Sequence, residues 1–342
     1  MKKVALSCIF LSLNLSILAQ TIDVLDHREV PDIHAMAVDP DLEIPAKRAT
    51  MPPPGFTSHF SQWLATSAWS GFDFERTDLT GGSYGGRAFA GQSVNRDPVI
   101  FIHGNSDKAL GDTFGQTGWS ASVNHFLSEG YTSAELYATT WGPANAGLAS
   151  YQYHSRLYLE KIRGFIEAVL AYTGAEQVDL ITHSMGVTLT RKAIKGGSAN
   201  DALDGGAYNL GAPLTASVDA FVGIAGANLG LVSCYLSGGS TPTCGATNGL
   251  YPGYTIGIWG PYGVSDILVD LNATSGYEGS QVYTIWSTVD EVIGYGNLVY
   301  GDYTSRIAGQ TDEAVFSQVP YGHFNLKDLT AEIQYDMVNG LY

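Results

Sequence analysis

Val178-Asp179-Leu180-Ile181-Thr182-His183-Ser184-Met185-Gly186-Val187 is the stretch whose reading decides the fold. Residues 178–181 read as a short buried strand, and Val187-Thr188-Leu189-Thr190-Arg191-Lys192-Ala193-Ile194 reads as the helix that follows. Between them Thr182-His183-Ser184-Met185-Gly186 differs at one position from Gly-x-Ser-x-Gly. A serine on so sharp a strand-to-helix turn is forced into strained backbone geometry, and its hydroxyl stands clear of the sheet. The N–H groups at the start of the helix then face any anion that forms beside it. Gly186 removes a Cβ where the turn packs closest, and Thr182 stands where the pattern has its first glycine. The same pentapeptide also serves as a plain turn between any strand and helix, so the rest of the chain has to discriminate.

Working outward, Pro98-Val99-Ile100-Phe101-Ile102-His103-Gly104 is an apolar run stopped by His-Gly, a buried strand entering a loop. Residues 119–130 predict a helix, 134–139 a strand and 152–172 a long helix, with Gly174 as its cap. Downstream, 219–226 and 281–287 predict two more strands, and 326–338 a final helix. Strands alternating with helices imply a mostly parallel sheet with helices on both faces. Residues 56–95 are aromatic and glycine-rich without clear period, and predict surface loops with a short helix near 58–69. Residues 229–277, rich in Gly, Pro and aromatics, predict an insertion over the top of the sheet and the candidate active site. No second domain and no internal repeat is evident. The expected organisation is one α/β catalytic domain over 49–342, with its core from about residue 97.

In open α/β sheets function gathers at the carboxyl ends of the strands. Three such ends carry chemistry here. Ser184 follows one strand, Asp290 lies in Ser287-Thr288-Val289-Asp290-Glu291 after another, and His323 sits in Tyr321-Gly322-His323-Phe324 before the last helix. A serine hydroxyl is a weak nucleophile until an imidazole takes its proton, and that imidazole needs a carboxylate to hold its tautomer. Glu291, beside Asp290, is the alternative acid. His103, His125, His154 and His183 compete with His323, which alone lies after the acid on a strand-to-helix loop. His183 is expected to orient or pack, and His103 to shape a turn. For the anion, the N–H of Met185 and that of Asn105, which follows Gly104 at the tight turn, are the candidate donors.

Composition bounds the remaining choices. The chain has 342 residues, 45% of them apolar and 41 of them glycine, enough to bury one large α/β core. Its net charge of −16 argues against nucleic acid as a partner. Lys2-Lys3, an apolar run over 4–18 and Ile17-Leu18-Ala19 predict a secretory signal peptide over 1–19, shorter than a membrane span. Residues 20–48 are acid-rich and poor in large apolar residues, ending in Lys47-Arg48: an acidic propeptide or linker. Cys234 and Cys244 are expected to form one local disulfide in a secreted chain. Asn272-Ala273-Thr274 is a sequon, meaningful in a eukaryotic host.

Several of these segments together carry a resemblance. Pro-Val-Ile-Phe-Ile-His-Gly-Asn, Tyr151-x-Tyr153-His154-Ser155, His-Ser-Met-Gly-Val, the run from Ala225-Gly226 through Ser233-Cys234-Tyr235 to Pro242-Thr-Cys244-Gly, and Gly322-His323-Phe324 resemble the class 2 lipases of the α/β-hydrolase superfamily. Within that group they are most similar to extracellular polyhydroxybutyrate depolymerases that attack native granules. The resemblance covers about residues 97–330 and not the first 95, and the 245–280 segment is shorter than the depolymerase's. It implies an α/β-hydrolase fold with Ser184 as nucleophile, Asp290 as acid, His323 as base, and Asn105 and Met185 as oxyanion donors.

The expectation is therefore a secreted serine ester hydrolase acting on lipid or polyester through an acyl-enzyme, with no metal and no organic cofactor. A catalytically silent binding protein on the same fold and a peptidase or amidase are the alternatives. Tyr235, Tyr254 and Trp259, in the aromatic insertion, are candidate substrate contacts at a lipid or polymer surface.

Overall fold

The computed structural model of the chain describes residues 49–342. The expected signal peptide and acidic segment, residues 1–19 and 20–48, lie outside the described residues. The central feature is an eight-stranded sheet. In chain order its strands are β1 (Gly55–Phe56), β2 (Ser83–Gly85), β3 (Val99–Ile102), β4 (Leu136–Thr139), β5 (Val178–His183), β6 (Val218–Ile224), β7 (Gln281–Ser287) and β8 (Asp312–Phe316). They lie in the order β1-β2-β4-β3-β5-β6-β7-β8. Only the β2–β4 pair is antiparallel. The strands β3, β5 and most of β6 and β7 are buried on both faces, and their Val/Ile/Phe-rich sequences are what a parallel sheet between two helical layers requires.

Register places the chemistry. Ile102 pairs with Thr182, His183 with Ile224, Ile224 with Ile285 and Ser287 with Phe316. The carboxyl ends of β3, β5, β6, β7 and β8 therefore stand in one row, and the loops leaving them share one edge.

Among the described residues the longer helices are α1 (Ser58–Thr66), α2 (Ser120–Ser128), α3 (Arg156–Thr173), α4 (Met185–Lys195), α5 (Asp266–Asn272), α6 (His323–Leu329) and α7 (Ala331–Val338), and a single helical turn, Cys234–Ser237, lies in the insertion. α3 starts later than the expected residue 152 because Ser155 caps it, accepting from Tyr158 N–H at 3.2 Å. Gly174, at φ 76°, ends it as expected. The single helix expected over 326–338 is instead two, broken at Thr330. There the Gln334 side-chain amide donates to Lys327 O at 2.6 Å, taking a carbonyl that a continuous helix would use itself. Residues 56–95 are more than loops, since β1 and β2 join the sheet and Phe60, Phe74 and Tyr84 enter the core. The edge strand β8 was also unforeseen. It has one neighbour, and within Asp-Glu-Ala-Val-Phe only Ala314 is buried, so no apolar run announces it.

The insertion over 229–277 is anchored around its whole rim. Val232 N–H donates to Ile293 O at 3.4 Å. Thr243 Oγ1 donates to Ala149 O at 2.8 Å and Gln152 O at 2.6 Å. Asn248 accepts at its carbonyl from both the backbone N–H and Nδ1–H of His154, each at 2.9 Å. A fully buried ion pair, Arg191–Glu278 at 2.9 Å, ties α4 to its far end, where Arg191 also donates to Leu271 O and Asn228 Oδ1. The sequon residue Asn272 is drawn into this network, donating from Nδ2 to Asn228 O at 2.8 Å. Cys234 and Cys244 are disulfide-bonded, as expected, with Cα atoms 5.3 Å apart.

The bond closes a short ring, so its restriction of the unfolded chain is about 2–3 kcal/mol. Mass spectrometry of an unreduced digest should recover the two peptides linked, and alkylation without reductant should label neither cysteine. A second expectation concerns His154. Its Nδ1–H faces a carbonyl and Nε2 accepts from Thr188 Oγ1 at 2.8 Å, and burial lowers its pKa from 6.5 to about 4. Above pH 6.5 neither the folded nor the unfolded chain holds the extra proton. Between 6.5 and 4 the unfolded chain takes it and the folded chain refuses it, so stability falls with pH by on the order of 1 kcal/mol per unit from this group. Denaturant titrations at pH 7 and pH 4.5 should show His154→Gln losing less stability on acidification than the wild type.

Candidate active site

Ser184 directly follows β5 and forms the turn into α4. Its backbone stands at φ 54°, ψ −129°, a region that L-residues rarely occupy. Two close approaches account for it. A Cβ on Gly186 would lie 2.4 Å from His103 O, and a Cβ on Gly104 would lie 2.8 Å from Ser184 Cβ. The loop after β3 and the turn after β5 thus cross in contact, with glycine on each side of the crossing. Ser184 N–H is held by Ile224 O at 2.8 Å. Thr182, in the place of the first motif glycine, is buried and donates to Val222 O at 3.0 Å.

The hydroxyl of Ser184 lies 3.0 Å from His323 Nε2, and His323 Nδ1 lies 2.8 Å from Asp290 Oδ2. All three side chains are buried. A carboxylate on Nδ1 fixes the tautomer with the proton there, leaving Nε2 free to accept from the serine. Asp290 is itself fixed by Val292 N–H and Ile293 N–H, which donate to Oδ1 at 2.9 and 2.7 Å. Glu291 does a different job. Its Oε2 accepts from the backbone N–H of His323 at 2.9 Å, and it makes no contact with the ring nitrogens. His183 holds the other end of that residue, Nε2–H donating to His323 O at 3.1 Å. The backbone and ring of His323 are therefore gripped at three points by Glu291, His183 and Asp290. His183 remains neutral, since burial and the neighbouring His323 push its pKa well below the usual value.

His103 shapes the loop after β3. Trp141 N–H donates to its Nε2 at 3.1 Å, so the proton is on Nδ1, which donates to Gly104 O at 2.7 Å. Trp141 stacks on the ring and donates from Nε1 to His103 O at 2.8 Å. Burial lowers its pKa to about 3, so it is a neutral structural group. Beyond it, the turn 104–107 closes through Asp107 N–H to Gly104 O at 3.3 Å. The Asn105 side chain points elsewhere, Nδ2 donating to Ala149 O and Oδ1 accepting from Ser106 Oγ, both at 2.9 Å. Among the described residues neither Asn105 N–H nor Met185 N–H has an acceptor. One of these donors lies on the loop in contact with Ser184 and the other directly follows Ser184, and a developing oxyanion needs two such donors.

The three candidate substrate contacts separate. Tyr235 is half-buried with its ring edge against Tyr300 at 5.0 Å. Tyr254 and Trp259 stand exposed on a hairpin, Tyr254–Ile256 and Trp259–Tyr262. Ile258 at its tip is 92% exposed and Trp259 68%. Residues missed in the sequence are Gln116, whose Nε2 donates to Ser106 O and Ala144 O at 2.7 Å, and Lys327, one turn after His323 in α6. The only signal for Lys327 was a lysine at i+4 from a candidate base, next to a core leucine.

Residues 96–336 match the family model of lipase (class 2), a span that contains every residue of this cluster. Among curated proteins none matches the chain. Solved structures similar to it include Aspergillus fumigatus lipase B, at 15% identity and TM-score 0.39 over 72% of this chain and 50% of that one. This chain therefore covers half the length of the fungal lipase. Mouse α/β hydrolase domain-containing protein 10 is similar at 17% identity and TM-score 0.40, over 72% of this chain and 90% of that one. Paleococcus ferrophilus monoacylglycerol lipase follows at 12% identity and TM-score 0.42, over 75% and 97%. The sheet, its crossovers and the position of the strand–turn–helix at Ser184 are those of the α/β-hydrolase fold, and the family match makes the chain a member of the class 2 lipases, which are carboxylic ester hydrolases.

Proposed function

We propose that this is a secreted serine ester hydrolase that cleaves lipid or polyester esters through an acyl-enzyme, with residues 49–342 as the catalytic part. The observation that carries the reading is the unbroken line from Ser184 Oγ through His323 to Asp290, at 3.0 and 2.8 Å. In it, Ser184 attacks the ester carbonyl as its proton passes to His323 Nε2. Asp290 stabilises the imidazolium, and the N–H groups of Asn105 and Met185 hold the oxyanion. His323 then gives the proton to the leaving alkoxide, and water enters by the reverse route to release the acid. The disulfide is compatible with secretion, and no helix among the described residues is long and apolar enough to cross a membrane.

Ser184→Ala should lower ester hydrolysis by at least about 10³-fold with the fold intact. A serine-directed phosphonate should label the wild type at Ser184 and leave the variant unlabelled. Labelling at any other serine sinks the assignment. Asp290→Asn should cost far more in kcat than Glu291→Gln, because Asp290 meets the ring and Glu291 only the backbone. A silent binding protein shows no turnover at all, and an amidase reading requires peptide or amide cleavage faster than ester cleavage.

For substrate, an insoluble ester is the reading we favour, in line with the resemblance to native-granule polyhydroxybutyrate depolymerases. Its support is the hairpin. Tyr254, Ile256, Ile258, Trp259 and Tyr262 all face solvent, and between Tyr251 and Ser265 there is no charged residue. A strongly acidic chain with an uncharged apolar projection suits a neutral ester surface better than an anionic membrane. Tyr254→Ala with Trp259→Ala should cut activity on polyhydroxybutyrate granules or emulsified triglyceride at least about tenfold more than activity on soluble p-nitrophenyl butyrate. Equal losses on both would assign these side chains to the fold.

A further inference from the structure

Four residues after His323, Lys327 turns its side chain inward from α6 and is buried. Its ammonium donates to Thr117 Oγ1, to Gly118 O at 2.6 Å and to Asp328 Oδ1 at 2.7 Å. Asp107 Oδ2 stands 3.7 Å away and is also buried. Asp107 closes the turn that carries Asn105, and its other oxygen accepts from Lys108 N–H at 2.8 Å and Gly118 N–H at 3.1 Å. The hairpin Leu110–Thr113 with Gln116–Gly118 meets both residues at Gly118, whose carbonyl accepts from Lys327 and whose N–H donates to Asp107. Gln116 locks its far strand to Ser106 O, the carbonyl next to Asn105.

A buried ammonium and a buried carboxylate are costly unless each answers the other. Here they join two elements that the proposed reaction needs at a fixed separation. One is the helix that presents His323. The other is the loop that carries Asn105, the proposed oxyanion donor. Met185 comes from the same turn as Ser184 and needs no such bridge, whereas Asn105 and His323 come from loops 218 residues apart in sequence by their numbers.

We propose that Lys327 and Asp107 form a positioning pair that keeps the His323 helix in register with the Asn105 loop, so that proton transfer and oxyanion binding are aligned by one buried ionic link. The proposal rests on the roles given above to His323 and Asn105. Both residues act through others and touch no reacting atom. Loss of the link is expected in kcat, because the misalignment concerns the transition state and not the ground-state grip on the ester.

The test uses the full chain and p-nitrophenyl butyrate, with Lys327→Met, Asp107→Asn and the double variant, each checked by near-UV circular dichroism and a melting curve. Asp107→Asn keeps the volume and the acceptor for Lys108 and Gly118, so it decides the matter if Lys327→Met does not fold. The expected result is a fall in kcat of about 10- to 100-fold in each folded single variant with KM within about twofold, slower phosphonate labelling of Ser184, and a double variant no worse than the poorer single one. The proposal is overturned if folded Asp107→Asn keeps kcat within about twofold, if KM rises in place of the fall in kcat, or if the two losses multiply. A wild type that fails to hydrolyse the ester or to be labelled at Ser184 instead removes the functional reading on which the pair depends.

Discussion

No Cβ fits where the loop after β3 crosses the turn after β5, and the rest of the site follows from that crowding. Gly104 lies against Ser184 and Gly186 against His103 O. With the two segments pressed together, Ser184 has no relaxed backbone conformation available and adopts φ 54°. The strain is held by β6 on one side, through Ile224 O, and by the start of α4 on the other. Such a conformation costs on the order of 1–3 kcal/mol and persists only where the surroundings over-determine it. Here they do, since β3, β5 and β6 are central strands with neighbours on both sides.

The second level of organisation concerns neutral histidines. His103 and His183 are buried within the same crossing, and both are held uncharged by burial. Each uses one N–H to fix a carbonyl: His103 fixes Gly104 O and His183 fixes His323 O. A cation at either position would repel the imidazolium that the proposed mechanism forms on His323. Neutral rings supply the hydrogen bonds without that penalty.

How much of this was legible follows from physical range. The strands β3, β5, β6 and β7 were readable because burial on both faces imposes a continuous apolar run. β8 was not, because an edge strand with one neighbour carries no such run, and β1 and β2 are too short for any period. Ser184, Asp290 and His323 could be singled out because each follows a strand or precedes a helix, and the structure brings the three together. Asp290 is the acid that the sequence favours over Glu291, but the separate role of Glu291 on the backbone N–H of His323 is not readable there, as adjacent carboxylates differ only once the loop sets their directions. Asp107 and Gln116 carry no local signature, and Lys327 only its spacing of four from His323. Their meaning arises from contacts between segments that are distant in sequence, and the helix break at Thr330 likewise depends on one side chain, Gln334, reaching back to Lys327 O.

The rim of the insertion and its projecting hairpin use different residues. Val232, Thr243 and Asn248 fasten it to the loop after β7 and to residues 149–154, and the disulfide closes a ring within it. Tyr254, Ile256, Ile258 and Trp259 contribute nothing to that fastening and face outward. Variation can therefore act on the outward set as on a detachable cassette: drift there alters what the chain adheres to and leaves the serine, its histidine and their supports undisturbed. Divergence among relatives should accordingly concentrate between Gly253 and Gly263, while the fastening residues change slowly and in concert with the loops they grip.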